Sequence, residues 1–266
     1  MLESDKPIGI FDSGIGGLTV YKALKEYLPS ESFIYLGDTA RLPYGTKSER
    51  AVVRFSIDNT EFLLKFGIKA LVVACNTSSS IAIKELREKF PGLPIIGVIE
   101  PSAKLAMEMS SSGRIGVIGT EATIRSGRYR ELLERDGAEV FSQPCPLFVP
   151  LVEEGWIEHR VTQLVAEEYL AWMRGKIDTL ILGCTHYPVI KRVIGEAVGK
   201  EVRLIESGFA VARELKRMLK EKSLLRGDGE GEDMFFVTDF LSKFSRVAEI
   251  FLGRKIKIEE RKFSMC

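Results

Sequence analysis

The sequence predicts an α/β protein built from two similar units. Each is a mainly parallel sheet flanked by helices, with a ligand cleft between the units. Three observations carry this expectation. Short runs of β-branched and other apolar residues alternate along the chain with stretches of helical period. The runs are continuously apolar over about five residues, as in strands buried on both faces. Three segments also recur at a nearly constant offset. "IGIFDSGIGG" begins at Ile8 and "IGVIGTEATI" at Ile115, 107 residues apart; "IKALVVACNT" at Ile68 and "IDTLILGCTH" at Ile177, 109 apart. "LPIIGVIEPSAKLA" at Leu93 and "EVRLIESGFAVARE" at Glu201 keep an offset of 108. Such a period indicates two related units rather than one sheet. They are expected to comprise residues 1–98 with 208–266, and residues 99–207.

In chain order, strands are expected at 7–11, 32–36, 69–75, 93–99, 114–119, 138–143, 178–184 and 201–205, with further ones at 234–239 and 255–259. Residues 16–29 carry Leu18, Tyr21, Leu24, Tyr27 and Leu28, close to the i, i+3, i+4 stripe of an amphipathic helix. Residues 48–67 read as a helix opened by Ser48 as N-cap and closed by Gly67. The polar, glycine-rich stretch 224–233 reads as a loop.

Composition narrows the function classes. A chain of 266 residues admits two modest domains or one large one. The hydrophobic share of 45% and charged share of 28% are ordinary, and a net charge of +1 gives no reason to expect nucleic acid or an anionic membrane as partner. No apolar run approaches the roughly 20 residues of a membrane helix. The N-terminus carries acidic residues and no apolar signal core, so a cytoplasmic setting with reduced thiols is expected. Four cysteines without CxxC spacing and only two histidines argue against a metal site.

Two cysteines share a local setting. Cys75 in "VVACNTSSS" ends a strand, and Asn76, Thr77 and Ser78 are N-cap types for a helix starting near 79. A helix N-terminus there would favour thiolate and bind a ligand carboxylate. Cys184 in "LGCTHYP" repeats the pattern with Thr185, His186 and then Pro188 as a first helical residue. A free cysteine is commonly a small buried filler; a repeat-matched pair is harder to explain that way. Ligands of open α/β sheets sit beyond the carboxyl ends of the strands, so facing units would put both thiols on one cleft. Cys145 lies between two prolines with no helix following and reads as a packed or loop thiol, and Cys266 as a loosely held chain end. Neither is a candidate.

"FDSGIGG" (11–17) follows a strand and opens a helix, but its spacing is neither the dinucleotide fingerprint nor a P-loop. Asp12 and Ser13 bring polar groups to the strand end; Asp12 could equally be a simple helix cap. In "GDTARLPYG" (37–45), Asp38 reads as a cap, and Pro43, Tyr44 and Gly45 as a stiff turn presenting an aromatic hydroxyl and backbone donors. "FVPLVEEGW" offers Glu153 or Glu154 as a carboxylate, with a solvated helix face as an equal account. His159 reads as an exposed helical residue without a role.

The stretches "IGIFDSGIGGLTV", "YLGDTARLPYG", "VVACNTSSS", "GVIEP", "IGVIGTEATIRSGRY", "CPLFVPLVEEG" and "LILGCTHYP" together resemble bacterial glutamate racemases of the cofactor-independent aspartate/glutamate racemase superfamily. The likeness reaches to about residue 208, and "VTDFLSKFSRVAEIFLG" also looks like the family's tail. The resemblance implies that Cys75 and Cys184 are the two acid/base thiols, Cys75 acting on D-glutamate and Cys184 on L-glutamate. It implies that Asp12 assists Cys75, and that His186 and Glu153 assist Cys184. Ser13, Asn76, Thr77 and Thr185 would hold the ammonium and α-carboxylate, and Pro43, Tyr44 and Gly45 would receive the side-chain carboxylate. No cofactor or metal is implied, and family members are typically dimers that make D-glutamate for peptidoglycan. Glu206 in "IESG" departs from the aspartate expected there. The chain also begins without the extension found in members activated by a cell-wall precursor, so such activation is not expected.

The chemistry agrees with the residues. A racemase must handle the α-proton from both faces, so it needs two bases, one resting as thiolate and the other as thiol. An aspartate racemase would keep both cysteines and differ near 43–45. A ligand-binding module would not need them, and a thiol redox protein would favour a CxxC that is missing.

Overall fold

The computed structural model describes residues 2–227, 229–239 and 241–261, with backbone alone at 241–243, 245 and 246. Cys266 lies outside the described residues. The chain runs β1 (Ile8–Asp12), α1 (Leu18–Tyr27), β2 (Phe33–Gly37), α2 (Glu49–Leu64), β3 (Ala70–Val73), α3 (Asn76–Ile81), α4 (Ile83–Lys89) and β4 (Ile95–Gly97). It continues through α5 (Ile99–Met109), β5 (Arg114–Gly119), α6 (Glu121–Arg125), α7 (Arg128–Arg135), β6 (Glu139–Pro144), α8 (Phe148–Glu153) and α9 (Arg160–Leu170). It closes with β7 (Thr179–Gly183), α10 (Lys191–Val198), β8 (Arg203–Glu206), α11 (Ser207–Glu221), β9 (Met234–Val237), α12 (Leu241–Leu252) and β10 (Glu259–Glu260).

Two parallel sheets result. One has the order β10-β9-β2-β1-β3-β4 and the other β6-β5-β7-β8. Four consecutive strands of the first, β2-β1-β3-β4, therefore match the whole second sheet position for position. Strands β1, β2, β3 and β7 are buried at every residue, which is why they read as unbroken apolar runs rather than as alternating ones. A continuous apolar cluster joins the sheets, taking Ile8, Ile10, Tyr35 and Val72 from the first and Ile118, Leu180 and Leu182 from the second. Helix α11 packs against both α1 and α5 and ties the units together behind the strand ends.

Local signals behave as their chemistry requires. The Ser48 hydroxyl accepts from the Ala51 amide at 3.3 Å and starts α2. That helix ends at Leu64, earlier than the pattern suggests, and the chain turns through Gly67 at φ +67. The expected strand at 255–259 contracts to Glu259–Glu260, pairing with Phe236 and Val237 of β9. Among the described residues no helix is long and apolar enough to cross a membrane.

The first sheet meets its overlying loop at Gly37. A Cβ there would lie 2.6 Å from the Gly14 carbonyl oxygen and 3.0 Å from the Phe244 ring. Gly37→Ala is expected to lower the free energy of unfolding by about 1–3 kcal/mol, as overpacking does, while the circular dichroism spectrum is kept. An unchanged denaturation midpoint would mean that the 13–17 loop is not seated on Gly37.

Candidate active site

Two strand ends of the first sheet build one wall. After β1 the chain turns through Ser13–Gly17, and Asp12 is fully buried beneath that turn, accepting from the Gly14 amide at 3.0 Å. After β3, Cys75 adopts an extended conformation (φ −65, ψ 121) and is itself the N-cap of α3. The helix thus begins at Asn76 rather than near 79, so Asn76, Thr77 and Ser78 form its first turn instead of capping it. Cys75 Sγ lies 3.6 Å from the Ser13 hydroxyl.

The facing wall comes from β7. Cys184 follows its last residue, and His186 Nδ1 lies 3.9 Å from the thiol sulfur. The other ring nitrogen, Nε2, is 3.4 Å from Glu153 Oε1 at the end of α8. Of the two candidate glutamates, Glu153 is therefore the one at the site, and Glu154 is exposed. Pro188 opens a single 3-10 turn, Tyr187–Ile190, not an α-helix. The Cys184 side consequently lacks the aligned peptide dipoles expected for it.

The walls touch through very small residues. A Cβ on Gly16 would stand 2.3 Å from Thr185 Oγ1 and 2.5 Å from His186 Nδ1. Thr185 Oγ1 donates to Asp12 Oδ1 at 3.4 Å, and Thr19 Oγ1 donates to the Thr185 carbonyl at 3.0 Å. Between the walls is a pocket of about 40 Å³. Its lining includes Ser13, Pro43, Tyr44, Gly45, Cys75, Asn76, Thr77, Glu153, Cys184, Thr185 and His186. Every expected site residue is thus on the pocket except Asp12, which lies beneath it. Such a volume holds only a few waters.

Burial dominates the electrostatics. It pushes the Cys75 thiol up to about 11, and the nearby Asp12 charge adds to the effect; bonding from Ser78 and Ser13 offsets only part of this. The helix start at Cys75 therefore does not produce the thiolate expected from it. Burial raises Asp12 as well, against the opposing His186 charge and the bonds from Gly14, Gly17 and Thr185. At His186 burial disfavours the cation, yet hydrogen bonding to Cys184 and Glu153 and their charges outweigh it, raising its pKa to about 10. Among the described residues His186 is the only basic side chain on the pocket lining, so carboxylates of a ligand would be met by hydroxyls, amides and backbone N–H groups. Among the described residues no group of three or more His, Cys, Asp and Glu could hold a metal ion.

Several expectations are corrected. The Tyr44 hydroxyl does not face the pocket: it donates to Asp38 and accepts from Asn59 Nδ2 at 3.1 Å, leaving the turn's backbone to a ligand. Asp38 is no cap but a buried acceptor for Arg41, Tyr44 and Thr238. His159 is the N-cap of α9, its Nδ1 accepting from the Val161 amide at 3.2 Å, rather than a residue within the helix. Glu206 pairs with Lys191 at 2.9 Å and is not on the pocket. Cys145 is fully buried as expected, although α8 begins only three residues later.

Thr120, Thr123 and Tyr129 have no counterpart in the sequence reading. Thr77, Thr120 and Thr123 form a triangle of hydroxyls at 3.0, 3.3 and 2.9 Å across the two walls, and Thr120 lines the pocket. Tyr129 donates to Asn76 Oδ1 at 2.9 Å and fixes that amide. The Asn76 amide nitrogen is buried without a hydrogen-bond partner on a residue of the pocket lining, which leaves it available to a ligand. The internal repeat held a signal for Thr120, since it aligns with Ser13.

A family model described as Asp/Glu/Hydantoin racemase matches residues 8–215. The glutamate racemase of Geobacter metallireducens is 50% identical over 255 residues, covering 94% of this chain and 94% of that relative. A glutamate racemase isoform from Bacillus anthracis has a solved structure similar to this one with a TM-score of 0.94 at 38% identity, covering 97% of this chain and 98% of that one. The glutamate racemase from Francisella tularensis in complex with D-glutamate gives a TM-score of 0.90 at 40% identity, with coverage of 97% and 98%.

With its pKa near 11, Cys75 is expected to be a thiol at neutral pH in the empty protein. Alkylation by iodoacetamide, read by mass spectrometry of the Cys75 peptide, should speed up about tenfold per pH unit between pH 7 and 10. A rate flat over that range would mean that the thiolate already exists at pH 7. His186 titrates at about 10 in the fold against 6.5 ordinarily, so its contribution to stability is complete below pH 6.5 and is lost as pH rises toward 10. His186→Asn should make the fall of the melting temperature over that window shallower; equal slopes would exclude His186 as its source.

Proposed function

Because this chain belongs to the Asp/Glu/Hydantoin racemase family, we propose that it interconverts L- and D-glutamate by passing protons between the α-carbon and two thiols. The observation that carries the reading is that Cys75 and Cys184, from strand ends related by the internal repeat, line one closed pocket. Such a pair can handle a proton from opposite faces of one carbon.

With L-glutamate seated, the Cys184 thiolate takes the α-proton while the Cys75 thiol delivers its own proton to the other face. The product is D-glutamate, with Cys184 left as thiol and Cys75 as thiolate. D-glutamate runs the same steps in reverse. The high pKa of Cys75 suits it to rest as the proton donor. His186, oriented by Glu153, stabilises negative charge on Cys184, and Asp12 acts at the Cys75 side. Carbanion charge spreads onto the α-carboxylate, where Ser13, Asn76, Thr77 and Thr185 supply hydrogen bonds in a water-poor site. The backbone at Pro43, Tyr44 and Gly45 receives the side-chain carboxylate.

The same reading takes residues 1–98 with 208–266 as one unit and 99–207 as the other. It has D-glutamate serve peptidoglycan synthesis in the cytoplasm, where thiols stay reduced. It also has the protein act as a homodimer, for which exposed Leu147, Leu164 and Phe209 offer apolar surface.

Incubation with L-glutamate in D₂O, followed by optical rotation and by the α-proton resonance, tests the reaction. Rotation should decay to zero as deuterium enters the α-position, and Cys75→Ser or Cys184→Ser should each slow racemisation by about 10²–10⁴-fold. Stable rotation with a retained α-proton, in folded protein with free thiols, would refute the assignment.

A further inference from the structure

The turn that receives the side-chain carboxylate is held from behind by a polar network that never reaches the pocket. Its hub is Asp38, buried at the end of β2. Asp38 Oδ2 accepts from Arg41 Nε at 2.7 Å and from the Tyr44 hydroxyl, and Oδ1 accepts from Thr238 Oγ1 at 3.1 Å. Thr238 Oγ1 in turn accepts from the Ala40 amide at 2.9 Å, and the Asp239 amide donates to Thr39 Oγ1 at 2.9 Å. Arg41 continues outward to Asp58 at 2.5 Å and Asn59 at 3.1 Å on α2. Its guanidinium also lies 4.4 Å from the centre of the Phe55 ring, against which Tyr44 packs. On the far side the turn has no slack, since a Cβ on Gly45 would come within 2.8 Å of Thr120 Cβ.

Leu42, Pro43, Tyr44 and Gly45 line the pocket, whereas Asp38, Arg41, Asn59 and Thr238 do not. The network can therefore act on a ligand only through the backbone it holds. We propose that Asp38 and Thr238 are positioning residues that fix the 42–45 backbone at the distance from the two thiols that suits a five-carbon, rather than a four-carbon, dicarboxylic amino acid. This rests on the glutamate reading above. It also gives the C-terminal strand β9 a functional part, because Thr238 directly follows its last residue.

Three features favour a positioning role over plain core packing. Asp38 spends both oxygens on three donors, two from the turn and its flank (Tyr44 and Arg41) and one, Thr238, from a segment 200 residues away. The Tyr44 hydroxyl is consumed by the network although Tyr44 is itself on the pocket lining. Thr238 contributes a hydroxyl that bridges Asp38 and the Ala40 amide, a contact that valine can replace in shape but not in bonding.

The test compares Thr238→Val, Tyr44→Phe and Thr238→Ser with the parent protein. For each, kcat and KM are measured with L- and D-glutamate, kcat/KM with L-aspartate, and the melting temperature alongside. In Thr238→Val and Tyr44→Phe, KM should rise about tenfold for both glutamate enantiomers, the range expected for loss of a hydrogen bond to a charged group. kcat should change by less, and the preference for glutamate over aspartate should fall. Thr238→Ser, which keeps the hydroxyl, should retain the parental KM. Unchanged KM and unchanged preference in both variants would overturn the proposal, as would a lowered melting temperature with equal losses on glutamate and aspartate. If the parent does not racemise glutamate, the earlier reading falls on its own, and the variants are then compared by calorimetry of glutamate binding. A variant affinity equal to the parent's, or a parent that does not bind glutamate, would overturn the positioning role too.

Discussion

The site depends on one close contact: the glycine turn after β1 pressing on Thr185 and His186 after β7. No side chain larger than hydrogen fits at Gly16, where a Cβ would sit 2.3 Å from Thr185 Oγ1. Gly17 is equally confined, with Asp12 Cβ at 2.5 Å and the Tyr35 hydroxyl at 2.8 Å from a built Cβ. Tyr35 uses that hydroxyl to hold the Gly14 carbonyl at 2.8 Å and so fixes the turn from below. Because the turn is this thin, the strand ends of two sheets can meet with almost no water between them. The apolar cluster behind them supplies the driving force, and the glycines remove the steric bar.

Exclusion of water sets the electrostatics. Asp12, Cys75, Cys184 and Glu153 converge on a small volume where, among the described residues, His186 is the only basic side chain of the lining. Not all four can be anionic there at once. Cys75 and Asp12 are driven toward their neutral forms, and His186 is held toward its charged form. The internal repeat thus gives the thiols equivalent places in the fold and unequal surroundings. One caps an α-helix beside a buried carboxyl; the other sits beside a histidine oriented by a glutamate. Two-base chemistry needs its bases in opposite protonation states, and unequal surroundings bias which of the two holds the proton.

Much of this was legible in the sequence, for identifiable reasons. Fully buried parallel strands are written as apolar runs, so their positions can be read almost directly, and the recurring offset paired Cys75 with Cys184. The misses fall where short-range pattern and long-range contact diverge. Polar residues after Cys75 look like caps, but the cap is the cysteine, because the backbone turns at the strand end. Asp38 looks like a local cap, but its partner Thr238 is 200 residues away. Tyr44 presents a hydroxyl in any local reading, and only the buried acceptor behind it shows which way it turns. The thiol pKa is not legible in sequence, because a helix terminus is visible there and the depth of burial is not.

The sheet orders give the reason for both the symmetry and its failure. Strands β1 and β3 of one sheet correspond to β5 and β7 of the other, and their ends carry Ser13 and Cys75 opposite Thr120 and Cys184. In the proposed reaction these pairs would face the α-carbon, whose two configurations are mirror images, so matched groups on matched walls suit it. Strands β2 and β6 also correspond, yet the loops after them have diverged. The loop after β2 is the stiff turn at 42–45, braced by Asp38 and by the added strand β9; the loop after β6 leads into α8 and brings Glu153 to His186. A substrate with a side chain on only one side of its reacting carbon cannot be held by two equal halves. In the proposed reaction the repeated strand ends would supply the two faces, and the divergent loops after β2 and β6 the place for the rest of the substrate.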